Sequence, residues 1–138
     1  MAGVPISDDV VQEFNKMKLS KEYQGLKFGM TDKLDSVIVS EKIANGTSYE
    51  AFVESLPNDD CVYAVVDFHY DNDDGHRQKI IFINWAPPKA PIRKRMVYAA
   101  SKQSVKDKLV GISLEIQATD KSEVDAKAVI EKCNAISK

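Results

Sequence analysis

The stretch WAPPKAPIRKRMVYAASKQSVKDKL, Trp85 to Leu109, decides how the rest of the chain is read. Pro87, Pro88 and Pro91 crowd its start. Proline fits the first position of a helix, where no backbone N–H is needed, so a helix is expected from Pro91. No Gly or Pro interrupts the run to Leu109, and Gly111 follows as a C-cap. Wound at the helical period, Tyr98, Val105 and Leu109 share a stripe with Ser101 and Lys102 between them, and that stripe should face a core. Arg95, Lys102 and Lys106 line one flank. Arg93, Met96, Ala100, Gln103 and Ser104 fall on the far side. Periodicity leaves two readings of that far side open. It is either a solvated basic face with one exposed Met, or a protein contact, since interface centres favour Met and Arg.

Working outward, KIIFINW (Lys79–Trp85) reads as a strand returning from CVYAVVDFHY (Cys61–Tyr70) across the polar tip Asp71–Gly75. The two together make the clearest hairpin in the sequence. The upstream run is nearly continuous in apolar residues, as expected of a central strand covered on both faces. Downstream, Ile112, Leu114 and Ile116 alternate with polar residues, a further strand. Ser122 with Asp125 resembles a capping box. Val124, Val129, Cys133 and Ile136 then give a last helix one apolar face.

Toward the N-terminus, Tyr23–Met30 and Val37–Val39 read as strands, and Asn45-Gly46 as a turn. Tyr49, Phe52, Val53 and Leu56 sit at helical spacing until Pro57. Ser7 reads as the N-cap of a first helix from about Asp8 to Lys18, with Val10, Phe14 and Met17 on its inner face. Residues 1–6 are expected to be a short mobile tail. The sum is an α/β fold, one domain over residues 1–138, with a central mixed β-sheet sandwiched between helices.

The length of 138 residues supports a proper core. The net charge of −2 argues against a generally basic nucleic-acid binder, yet charge is unevenly placed. Seven acidic residues and no Lys or Arg lie between Glu54 and Asp74, whereas six basic residues and one Asp lie between Arg93 and Lys108. Two cysteines make no disulfide framework, and no apolar run approaches a membrane span of roughly 20 residues. These features point to a reducing compartment, with the cytoplasm as default. There is no Gly-rich phosphate loop and no Gly-x-Ser-x-Gly. His69 and His76 lack metal spacing to either cysteine, and the acidic tip fails the calcium-loop pattern. Cys61 as a catalytic thiol competes poorly with a structural thiol at a strand start. Asp67 reads as a strand carboxylate on the polar side. Composition and motifs alone therefore end at a binding domain with a basic helix, with no enzyme chemistry, cofactor or metal indicated.

The chain resembles the actin-depolymerising factor (ADF)/cofilin family over essentially its whole length. The residues that carry the resemblance are Asp59-Asp60-Cys61 leading into Tyr63-Ala64-Val65, then Lys79–Phe82 and Trp85-Ala86-Pro87. Most specific is Ala90–Lys102, which is similar to the family's long actin-binding helix almost position for position. Leu109-Val110-Gly111 and Glu115–Asp120 add to it. The resemblance implies a single ADF-homology domain that binds G-actin and F-actin, prefers ADP-actin, severs filaments and promotes depolymerisation, without catalysis and as a monomer in the cytoplasm. A glia maturation factor or coactosin type, with weak or no severing, is the alternative.

By the same resemblance, contacts shared by monomer and filament correspond to Val4, Pro5, Ile6, Arg93, Arg95, Met96, Ser101, Lys102 and Lys106. Filament-specific contacts correspond to Arg77, Lys79, Glu131 and Lys132. Phosphoinositide headgroups would be bound by Lys94, Arg95, Lys102 and Lys106. Two departures stand out. Ala2 occupies the place where many members carry a regulatory serine, and Ala135 stands where some have a further basic residue.

Overall fold

In the computed structural model, residues 4–136 are described. Five strands form one sheet in the order β2-β1-β3-β4-β5. The strands are β1 (Gly25–Met30), β2 (Val37–Ile43), β3 (Val62–Asn72), β4 (Gly75–Trp85) and β5 (Leu114–Ala118). All neighbours pair antiparallel except β4 and β5, which run parallel. That one parallel pair needs a long crossover, and helix α3 (Ile92–Lys108) supplies it. The other helices are α1 (Asp8–Ser20), α2 (Tyr49–Glu54) and α4 (Ala126–Ile136).

Because side chains alternate along a strand, each face of the sheet has its own core. On one face Tyr63, Val65, Leu26, Phe28 and Phe82 pack with Val10, Phe14 and Met17 of α1 and with Tyr98, Val105 and Leu109 around α3. On the other, Ala64, Val66, Phe68, Tyr70, Ile81, Ile83 and Ile116 pack with Phe52 and Val53 of α2 and with Val129 and Cys133 of α4. The mixed sheet between two helical layers is the architecture expected from the sequence.

Several boundaries differ, each for a local reason. Pro91 is the residue before α3 rather than its first, and Arg95 N–H bonds to the Pro91 carbonyl at 3.1 Å. The helix stops at Lys108, and Gly111 lies beyond it with φ of 111°, in the turn that leads to β5. Strands β3 and β4 run to Asn72 and from Gly75, because the polar residues near the tip still complete the ladder. The capping box belongs to Asp120 and Glu123, not to Ser122 and Asp125. It closes a single 3₁₀ turn, Lys121–Val124, after which the Asp125 carboxylate accepts from Ala128 N–H at 2.8 Å at the start of α4.

The end of the N-terminal segment lies against β2. Val37 N–H donates to the Pro5 carbonyl at 2.9 Å, and Ser7 N–H donates to the Val37 carbonyl at 2.9 Å. Ile6 thus forms a parallel bridge to β2. Residues 1–3, including Ala2, and 137–138 lie outside the described residues. Ser7 caps α1 as expected, accepting from Asp9 N–H at 3.3 Å.

Candidate functional site: the outer face of helix α3

Two tyrosines pin α3 to the sheet. The Tyr63 hydroxyl donates to the Tyr98 carbonyl, and Met30 N–H donates to the Tyr98 hydroxyl at 2.8 Å. Burial drives the ionisation of Tyr63 far above its ordinary range and pushes Tyr98 up to about 12, so both remain neutral donors and acceptors. A helix held from beneath in this way presents a fixed outer face.

That face carries Ile92 and Met96, 67% and 65% exposed, one turn apart, with exposed Arg93 beside them. The solvent-facing Met expected from periodicity is present. Ile92 was missed, although its i, i+4 spacing from Met96 would have shown it. Apolar residues this open on a rigid helix, rimmed by arginine, have the composition of an interface centre.

The flank differs from the expected basic edge. Lys102 and Lys106 both reach Glu115 of β5, with Nζ–O distances of 2.7 and 2.9 Å. Burial works against ionisation of Glu115, but the hydrogen bonds and charges of the two lysines outweigh it and hold the carboxyl below its ordinary value. Arg95 Nε donates to the Ala90 carbonyl at 3.2 Å. Lys94 pairs instead with Asp60 at 2.9 Å. At 100° per residue it projects roughly 80–120° around the helix from Arg95, Lys102 and Lys106, so the four do not form one patch.

Ser101 corrects a second expectation. It is fully buried beneath α3 and so is closed to direct contact with a partner. Its place on the inner stripe already indicated this, and the resemblance overrode the periodicity. Val4, Pro5 and Ile6 are present beside β2, half-buried or exposed.

The second set of residues lies on the other side of the sheet. Opposite Phe68 and Tyr70, whose side chains enter the α4-side core, stand Lys79 and Arg77. Arg77 pairs with Asp74 at 3.4 Å. Asn72 donates to Asn134 of α4 at 3.2 Å, tying the hairpin to the helix that carries exposed Glu131 and Lys132. The hairpin and α4 therefore form one continuous surface, remote from the outer face of α3.

Cys61 is buried, and its burial pushes the thiol up to about 11, with Asp60 adding to the effect. A thiol so shifted is a poor nucleophile. Alkylation of the native protein at pH 7.5 is expected to be slower than that of an unperturbed thiol by about two orders of magnitude or more, since so little is thiolate. Timed iodoacetamide labelling read by mass spectrometry checks this. Asp67, expected on the polar side, is buried instead. It accepts from Gln78 at 3.2 Å and lies 3.7 Å from Lys21, the residue that follows α1. His69 and His76 contact each other at 3.0 Å across the hairpin. Among the described residues no group of three or more His, Cys, Asp or Glu is placed to hold a metal ion, and no helix is long and apolar enough to cross a membrane.

Comparison with known proteins accords with this geometry. The chain is 43% identical to actophorin of Acanthamoeba castellanii over 132 residues, covering 96% of each chain. It is 41% identical to cofilin of Saccharomyces cerevisiae over 133 residues, covering 95% of this chain and 92% of that one. The crystal structure of Streptomyces griseoflavus cofilin superposes with a TM-score of 0.88 at 34% identity, covering 96% and 98% of the two chains. Residues 3–134 match the family model for cofilin/tropomyosin-type actin-binding proteins, and the chain belongs to that ADF/cofilin family.

Proposed function

We propose that this protein binds actin monomers and filaments with preference for the ADP-bound state, severs filaments, and promotes depolymerisation and actin turnover. The observation that carries this reading is the open Ile92–Arg93–Met96 face on a helix fixed to the sheet. Names of relatives at 41–43% identity over nearly the whole chain support the cofilin type over the glia maturation factor or coactosin type. The chain acts as one ADF-homology unit in the cytoplasm, as a monomer, and breaks no covalent bond. Its work on filaments is a population shift. Binding one filament conformation more tightly than another must favour that conformation.

In this reading Val4, Pro5, Ile6, Arg93, Arg95 and Met96, with Lys102 and Lys106, meet monomer and filament alike. Arg77, Lys79, Glu131 and Lys132 meet the neighbouring subunit of a filament. An anionic inositol-lipid headgroup competes through Arg95, Lys102 and Lys106. The decisive experiment is filament disassembly watched by microscopy, with monomer affinity measured in parallel. Wild type is expected to sever. Arg77→Ala/Lys79→Ala is expected to bind monomers as wild type does and to lose filament binding by about tenfold or more, the loss of two interface charges. A wild type that binds monomers yet leaves filaments intact would move the protein to the non-severing type.

A further inference from the structure

The contact between Glu115 and two lysines has a use that its bulk charge does not suggest. Glu115 lies on β5, opposite Phe82 in the ladder, and its side chain rises on the face of the sheet that α3 covers. From there it accepts from Lys102 at 2.7 Å and Lys106 at 2.9 Å, neighbours one turn apart. All three side chains are only about a quarter to a third exposed. An ammonium has three N–H donors. One on each lysine goes to Glu115, which leaves two on each for a partner. A free lysine must surrender most of its rotamer freedom when it binds, whereas a lysine already held has little left to lose.

We propose that Glu115 is a positioning residue of the actin-contact surface, holding Lys102 and Lys106 as one ordered pair of donors along the edge of α3. This rests on the reading above that the two lysines touch actin. The carboxylate has two effects of opposite sign. It lowers the positive charge of the edge from two to one, which weakens attraction to any anionic partner. It also fixes the geometry of the donors, which strengthens binding to a partner of defined shape. For a fluid anionic membrane only the first matters, because lipid headgroups rearrange around the charge. For a protein surface the second dominates.

The test uses the full chain with Glu115→Gln, Glu115→Asp and, as reference, Lys102→Ala/Lys106→Ala. Affinity for fluorescently labelled ADP-actin monomers is measured alongside cosedimentation with vesicles of phosphatidylcholine containing phosphatidylinositol bisphosphate. Glu115→Gln keeps the shape and removes the charge. Its actin affinity is expected to fall by about tenfold, the cost of immobilising two loosened lysines, while its vesicle binding rises. Glu115→Asp keeps the charge but is one methylene short of reaching both lysines. Its actin affinity should fall without a rise in vesicle binding, and it decides the matter if the glutamine variant does not fold.

Actin affinity that is unchanged or tighter in Glu115→Gln, while Lys102→Ala/Lys106→Ala weakens it, would overturn the role of Glu115 and leave the contact surface standing. A fall in both actin and vesicle binding would mark damage to the fold and also overturn it. If the double lysine variant binds actin as wild type does, the lysines are no contacts. The surface reading then fails at this edge, and the positioning role fails with it.

Discussion

Replacing Arg93 and Met96 together by alanine is expected to abolish measurable actin binding, to monomer and filament alike, while leaving the fold intact. Met96 is 65% exposed, and Arg93 stands three residues before it on the same outer face. Alanine scans place the largest losses, about 2 kcal/mol or more each, at arginines and aromatic residues near the centre of an interface, where Met is also enriched, and a single loss of that size raises Kd about thirtyfold. The two are neighbours, so their effects need not add. Stability should barely move. Neither side chain lies in a core, and alanine is the best helix former, so the expected change is within about 0.5 kcal/mol. Sedimentation with filaments and fluorescence titration of labelled monomers read the first quantity, and thermal unfolding reads the second. A double variant that still binds both forms within threefold of wild type would remove α3 from the interface. The hairpin and α4 would then have to carry both modes.

The contrast with Arg77→Ala/Lys79→Ala makes the two surfaces separable. Arg77 and Lys79 project on the side of the sheet that α4 covers, whereas Arg93 and Met96 project from the outer side of α3. With the sheet between them, a single partner surface cannot easily touch both. Binding that needs both must involve two partner surfaces, as two adjacent subunits of a filament provide. Loss of all binding from the first pair and loss of filament binding alone from the second is the pattern that follows.

Much of this was legible in the residues. The apolar spacing of Tyr98, Val105 and Leu109 located the inner side of α3 and so its outer side. The paired runs before and after Asp71–Gly75 located the central hairpin. What stayed hidden depends on distance in sequence. Glu115 and the lysines it holds meet only because β5 lies parallel to β4 with α3 packed over them. Nothing local in Leu114–Ala118 announces that pairing. Lys94 and Arg95 are adjacent in sequence, yet the helix turns Lys94 about 100° away from Arg95, and there it pairs with Asp60. A charge run read without its partners therefore looked like a single basic patch. Ser101 shows the reverse. Periodicity placed it inward, correctly, and the contact role implied by the family resemblance hid what the spacing already said.

The fold should fail most sharply at Phe82. It is fully buried on β4, flanked in the sheet by β3 and β5, and its ring stacks with Tyr63 at a centroid distance of 5.8 Å and an angle of 22°. Tyr63 in turn holds α3 through the Tyr98 carbonyl. Phe82→Ala removes the ring from beneath that contact, and the surrounding strands are hydrogen-bonded on both sides, so the space is poorly placed to collapse. The expected loss is about 3–5 kcal/mol, a large part of the stability of a domain this size. Phe82→Leu keeps more of the volume and should cost less than half as much. Urea unfolding followed by Trp85 fluorescence reads both, with the midpoint falling and the slope unchanged if the transition stays two-state. The binding of the folded fraction adds a second reading. If the cavity merely weakens the core, folded Phe82→Ala binds actin as wild type does. If binding falls as well, the outer face of α3 is set by the packing beneath it, and the tyrosine contacts that pin the helix are part of what makes the interface.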